Sequence, residues 1–164
     1  MSISQLEPTA LWQHFAALNA VPRPSKKEER VIAFMKAFGE NLGLETHIDK
    51  TGNVIIKKPA TPGMESKQTV ILQSHLDMVH QKNAQTVFDF DQQGIEMQID
   101  GDWVKANGTT LGADNGIGVA AIMAVLSSTD IAHPALEAFF TIDEETGMTG
   151  AKEMDAHLLS GTIL

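Results

Sequence analysis

The chain has 164 residues, a length that suits one domain of roughly 100–200 residues. At 43% hydrophobic and 20% charged it is too apolar for a disordered chain, and its net charge of −9 argues against a nucleic-acid phosphate surface or an anionic membrane as partner. Cysteine is absent, which excludes disulfides, thiolate metal sites and thiol catalysis.

The opening stretch MSISQLEPTALWQHF lacks the basic and apolar regions of a secretory signal, and no apolar run approaches the ~18 residues that span a bilayer. Pro8 suits a first helical turn, and Leu11, Trp12, Phe15 and Leu18 recur at helical spacing. The prolines of VPRPS (21–25) end that helix. Ser25 and Glu28 form a candidate capping box for a second helix with Val31, Ile32, Met35, Phe38 and Leu42 on its apolar face and Gly43 as its stop.

Residues 45–59 predict a β-hairpin turning at Thr51-Gly52-Asn53, and 61–68 a loop. The apolar run 69–73 predicts a strand buried on both faces that ends at Ser74-His75-Leu76-Asp77. Ile95, Met97 and Ile99 alternate with polar residues before a turn at Asp100-Gly101 and a return at Trp103-Val104. A tight loop, 108–116, feeds an alanine-rich buried helix over 117–126. Residues 136–142 predict a second apolar strand, ending in Asp143-Glu144-Glu145. Thr149 is a candidate cap for a helix through about Leu158, and 161–164 reads as the start of another strand. Buried strands alternating with helices predict an α/β fold, a sheet flanked by helices.

Three groups of donors follow apolar runs: His75-x-Asp77, Asp114 and Glu144-Glu145. Ligands of open α/β sheets bind beyond the carboxyl ends of the strands, and these hard oxygen and imidazole donors suit a divalent cation. In extended backbone Asp77 points the same way as His75 and can accept its second ring N–H, fixing the tautomer that faces a metal. Asp114 lies among Gly112, Gly116 and Gly118, which permit positive φ and a close approach. One carboxylate can bridge two metals. Adjacent glutamates diverge, so one of Glu144 and Glu145 can bind metal while the other takes a proton. Alone, each group has a plainer reading: a strand-end hydrogen bond, an Asp-Asn-Gly turn, a solvated acidic strand end. His14, His47, His80, His133 and His157 read as surface or helix residues.

The segments VILQSHLDMVHQKN (70–83), TTLGADNGIGVAA (109–121) and FFTIDEETGMTGA (139–151) together resemble the M20 family of zinc-dependent exopeptidases, and within it the aminoacyl-histidine dipeptidases. The resemblance runs over essentially the whole chain. It implies the zinc-exopeptidase fold, a mixed sheet flanked by helices, with residues 1–164 as an N-terminal portion of the catalytic domain. The lid or dimerisation domain and the C-terminal half, with a further acidic ligand and a histidine, would lie outside it. It implies His75 as a metal ligand, Asp77 as its orienting carboxylate, Asp114 as the bridge, Glu144 as general base and acid, and Glu145 as ligand of the second metal. It also implies a cis peptide bond after Asp114.

The implied cofactor is two Zn²⁺ ions, with Co²⁺ or Mn²⁺ as substitutes. The implied substrate is a short unblocked dipeptide, notably Xaa-His of the carnosine type, and the implied setting is a cytoplasmic homodimer with no nucleic-acid or membrane partner. With two protein ligands per ion in these 164 residues, weak metal binding and little activity are expected of the chain alone. The competing readings are an aminoacylase or carboxypeptidase of the same family and a non-catalytic binding module.

Overall fold

The computed structural model describes residues 2–164. Helix α1 (Thr9–Asn19) and helix α2 (Glu29–Asn41) come first, then the strands β1 (Glu45–Ile48), β2 (Val54–Lys58) and β3 (Val70–His75). A small hairpin of β4 (Met97–Asp100) and β5 (Trp103–Ala106) precedes helix α3 (Ala113–Ser127), strand β6 (Leu136–Thr141) and the single turn α4 (Thr149–Lys152). The main sheet runs in the order β1-β2-β6-β3. β1 and β2 are antiparallel, as are β2 and β6, whereas β3 and β6 are parallel and joined by a crossover through α3. This is the expected mixed α/β sheet with flanking helices.

One sheet face builds the core. Val54 and Ile56 of β2, Ala138 and Phe140 of β6 and Leu76 beyond β3 pack on Leu18, Val31, Met35, Val119, Met123 and Leu126 from the three helices. Side chains of this size contribute roughly 1.5–3 kcal/mol each when fully buried. β6, central in the sheet, is buried at every residue, as an apolar run at that position requires.

Several local expectations are corrected. β3 is an edge strand, half-buried over most of its length, not one buried on both faces. Among the described residues its outer side meets only a bridge from Ile163 to Val70; an apolar run records burial of side chains and carries no information on how many neighbours a strand has. Ser25 and Glu28 do not cap α2: the Ser25 hydroxyl donates to Asp77 Oδ2 at 2.8 Å, and Glu28 Oε1 accepts the backbone N–H of Lys26 and of Asp143. Each side chain has a distant partner, Asp77 for Ser25 and Asp143 for Glu28, that outcompetes the local motif. The helix expected from Thr149 to Leu158 is α4 followed by a separate 3-10 turn at Ala156–Leu158, and the Thr149 hydroxyl bonds the Asp143 carboxylate. Pro8 caps α1 from outside its first turn, after a cis Glu7–Pro8 bond. His133 is neither on a helix nor exposed: it is buried, with Nδ1 2.7 Å from the Pro134 carbonyl.

Candidate metal centre

Parallel pairing of β3 with β6 sets His75 beside Thr141, and Leu76 N–H bonds the Thr141 carbonyl at 2.8 Å. The segments that follow, 75–77 and 143–145, therefore emerge side by side at the carboxyl end of the sheet. Asp114 arrives at the same end from the start of α3, where it and Asn115 leave helical geometry. The Asp114–Asn115 peptide bond is cis, as the resemblance implies.

The side chains meet. His75 Nε2 lies 3.1 Å from Asp114 Oδ1 and 3.9 Å from Glu144 Oε2. His75, Asp114 and Glu145 each bring a donor atom within 4.8 Å of the other two. The histidine is buried and the Asp114 side chain is 86% exposed, so the cluster opens to solvent from one side. A cavity of about 520 Å³ adjoins it, with His75, Asp114 and Glu144 at one end and Ile71, Phe139 and Met154 along its wall.

Asp77 does more than face the histidine. His75 Nδ1 lies 3.3 Å from Asp77 Oδ1 and 3.1 Å from the Asp77 carbonyl. The same carboxylate accepts the backbone N–H of Glu144 at 3.0 Å and of Glu145 at 3.2 Å. It thereby ties the imidazole to the turn that carries both glutamates. Burial would raise its pKa, but the His75 ring, these two N–H groups and the Ser25 hydroxyl outweigh burial and hold it at about 2. Burial likewise opposes the His75 imidazolium, yet Asp77, Asp114 and Glu144 raise its pKa to about 9. Glu145 is raised, first by burial and then, against the pull of His75, by the charges of Asp114, Glu144 and Asp77.

Four carboxylates around one imidazole leave a negative excess that a divalent cation would neutralise. The donors are one imidazole nitrogen and carboxylate oxygens, the set that zinc accepts, and the second ring nitrogen is already held by a carboxylate. The residues present fit a divalent metal.

The turn bearing the glutamates is anchored from behind. Asp143 takes the left-handed conformation at φ 54°, and its carboxylate accepts Lys26 Nζ at 2.5 Å and the hydroxyls of Thr146 and Thr149. Asn53 Oδ1 accepts the Ile142 N–H and its amide donates to the Gly150 carbonyl. Asn53 is fixed in turn by Asp49, whose Oδ1 accepts the N–H groups of residues 51–53.

The expected site residues 75, 77, 114, 144 and 145 thus lie together. Sequence reasoning missed Arg23, Ser25, Glu28 and Asn53. The signals were slight: a lone arginine between two prolines, and an asparagine that reads adequately as part of a turn. Of the three glycines around Asp114, only Gly112 uses positive φ, at 69°. At Gly116 the need is space, since a Cβ there would lie 2.7 Å from Arg23 Nη2.

No family model matches the chain. It is 47% identical over 162 residues to the cytosol non-specific dipeptidase of Escherichia coli K12, covering 99% of this chain and 33% of that protein. Its fold superposes on the crystal structure of aminoacylhistidine dipeptidase from Vibrio alginolyticus with a TM-score of 0.96 at 52% identity, covering 98% of this chain and 33% of the other. Aminopeptidase PepT from Bacillus cereus is similar at a TM-score of 0.77 and 26% identity, over 93% of this chain and 41% of that one. The chain therefore spans about a third of the length of these two dipeptidases. Over that third it is a homologue of the cytosol and aminoacylhistidine dipeptidases.

Proposed function

We propose that this chain supplies metal-holding and proton-transferring residues of a dipeptidase that cleaves short unblocked dipeptides, Xaa-His among them, in the cytoplasm. The observation that carries the reading is the convergence of His75, Asp114 and Glu145, with donor atoms within 4.8 Å of one another. The homology to two dipeptidases supports the reaction class, and the name of the Vibrio protein supports histidine-containing substrates.

In this reading His75, Asp114 and Glu145 would hold two Zn²⁺ ions, with Asp114 shared between them, and Co²⁺ or Mn²⁺ could substitute. Zinc bound there would supply a lowered pKa for water and polarisation of the scissile carbonyl. Asp77 keeps the His75 ring turned toward the site and, through the Glu144 and Glu145 N–H groups, fixes the turn. Glu144, whose side chain is 39% exposed and faces the cavity, accepts the proton as water adds to the peptide carbonyl and delivers it to the leaving amine. These donors leave each ion two protein ligands from this chain, where catalytic zinc takes three, so the chain by itself binds metal weakly and turns over slowly.

Calorimetric titration with Zn²⁺ tests the reading, alongside an Ala-His hydrolysis assay. Saturable binding weaker than nanomolar that His75→Ala abolishes is the expected result. No saturable binding, or binding indifferent to His75→Ala, overturns the site. Nanomolar binding with fast hydrolysis overturns the weak-binding part.

A further inference from the structure

Arg23 is 1% exposed, a full positive charge placed inside the fold. Burying a guanidinium costs free energy, and an apolar side chain of similar volume is often the more stable choice in such a place. The hydrogen bonds do not fully compensate: Nε is buried with no partner among the described residues. Burial lowers the pKa to about 10, with Asp77 pulling the other way, so the group stays charged at neutral pH.

What the remaining donors do is specific. Nη1 donates to the carbonyls of Leu76 at 3.0 Å and Asp77 at 3.3 Å, immediately after His75. Nη2 donates to the Gly112 carbonyl at 2.7 Å, two residues before Asp114, and to Asn19 Oδ1 at 2.9 Å. The Asn19 amide in turn donates to the Leu111 carbonyl at 3.0 Å. One planar fork thus spans the strand end that carries His75 and the loop that carries Asp114. These two segments are far apart in sequence. Direct side-chain contacts between them are His75 Nε2 to Asp114 Oδ1 and the Ser74 hydroxyl to the Asn115 carbonyl. Gly112 and Gly116 leave the room the fork needs: a Cβ at either would stand 2.5 or 2.7 Å from Nη2.

We propose that Arg23 is a positioning residue that fixes the distance between the His75 strand end and the Asp114 loop, and so presets the spacing of the metal donors. The effect on metal rests on the reading of the site given above; the clamp itself does not. Lysine cannot replace it, because a single ammonium lacks the rigid fork that reaches carbonyls on both segments.

The test uses the whole chain, the variant Arg23→Lys and Co²⁺ as probe. In the metal-free chain, amide hydrogen exchange is expected to quicken together at residues 76–78 and 113–116 while amides of β2 and β6 keep their protection. Co²⁺ affinity is expected to fall about tenfold or more, the size of effect that supporting residues of metal sites have, with a changed visible absorption spectrum of the bound ion. Wild-type exchange in both segments, quickening in only one, or loosening of the whole sheet overturns the clamp, and unchanged Co²⁺ affinity and spectrum overturn its role in donor spacing. Should wild-type protein bind no Co²⁺, the metal reading fails and hydrogen exchange still decides the clamp. Gly116→Ala is the second variant and decides the matter if Arg23→Lys does not fold. It crowds Nη2 while keeping the charge, and the same paired loosening is expected; its absence overturns the proposal.

Discussion

Oδ1 of the buried Asp77 carboxylate accepts the backbone N–H of Glu144 at 3.0 Å and lies 3.3 Å from His75 Nδ1, while Oδ2 accepts the backbone N–H of Glu145 at 3.2 Å. A side chain expected to orient one histidine therefore also sets the position of both glutamates. Asp77→Asn keeps the shape but removes the charge and turns one acceptor into a donor. The amide NH₂ must then confront either the ring and the Glu144 N–H or, in the flipped orientation, the Glu145 N–H. A loss of about 1–3 kcal/mol in stability is expected from the unmatched buried group, read by urea denaturation. Zn²⁺ affinity should fall about 10–100-fold in a calorimetric titration.

Glu144 and Glu145 are neighbours with separable assignments, and paired substitutions distinguish them. Glu145→Gln removes a donor atom from the triad with His75 and Asp114 and should weaken Zn²⁺ binding. Glu144→Gln should leave Zn²⁺ affinity unchanged and lower Ala-His hydrolysis by about 10²–10⁴-fold, the usual contribution of a general base. Equal loss of binding in both variants would refute the division of roles.

Much of this site could be read in the sequence because its residues stand at the ends of apolar runs. The runs 69–73 and 136–142 become neighbouring parallel strands, so whatever follows each of them must converge. Asp114 was marked by its glycines and by the resemblance of LGADNG to a known loop. What could not be read is the support behind the donors. Arg23 acts on carbonyls 53, 54 and 89 residues away, and Asn53 on a carbonyl 97 residues away. Local sequence gives such residues no periodicity, and an arginine between prolines reads only as part of the break that ends a helix. Ser25 shows the converse failure: its local motif is a good cap, and a distant carboxylate takes the hydroxyl instead.

Glu137 offers a pH test away from the metal donors. Its carboxylate, buried in β6, accepts the Ser160 hydroxyl at 2.7 Å and the N–H groups of Ser160 and Gly161, and faces Lys57 at 3.5 Å. Burial acts to raise its pKa, but these partners outweigh burial and leave it below the usual value of 4.5. A carboxylate depressed in the folded state stabilises the fold above its unfolded pKa and loses that contribution as pH falls through the folded one. Stability should therefore drop as pH is lowered below about 4.5, and Glu137→Gln should make that part of the profile flatter while lowering stability at pH 7. Urea midpoints measured from pH 3 to 7 check both. A variant profile parallel to wild type would sink the assignment.

Gly150 links the fold to the glutamate turn by a close backbone approach that leaves no room for a side chain. A Cβ there would lie 2.6 Å from both the backbone nitrogen and oxygen of Ile142 and closer still to Asn53 Oδ1, and a backbone neighbour cannot swing aside as a flexible side chain can. Gly150 N–H also bonds the Ile142 carbonyl at 3.2 Å, and its own carbonyl accepts the Asn53 amide at 2.8 Å. Gly150→Ala must therefore push α4 away from the strand end, dragging Asp143 and the two glutamates with it. The expected cost is about 1–3 kcal/mol, as for other overpacked sites, with a weaker Zn²⁺ affinity in the folded fraction. Gly63→Ala is the comparison, since its Cβ would meet nothing within 4 Å although its φ of 86° still strains the backbone. If both variants lose stability but only Gly150→Ala loses metal, crowding at Ile142 and Asn53 is the cause. If Gly150→Ala keeps wild-type affinity, the turn is not held by this contact.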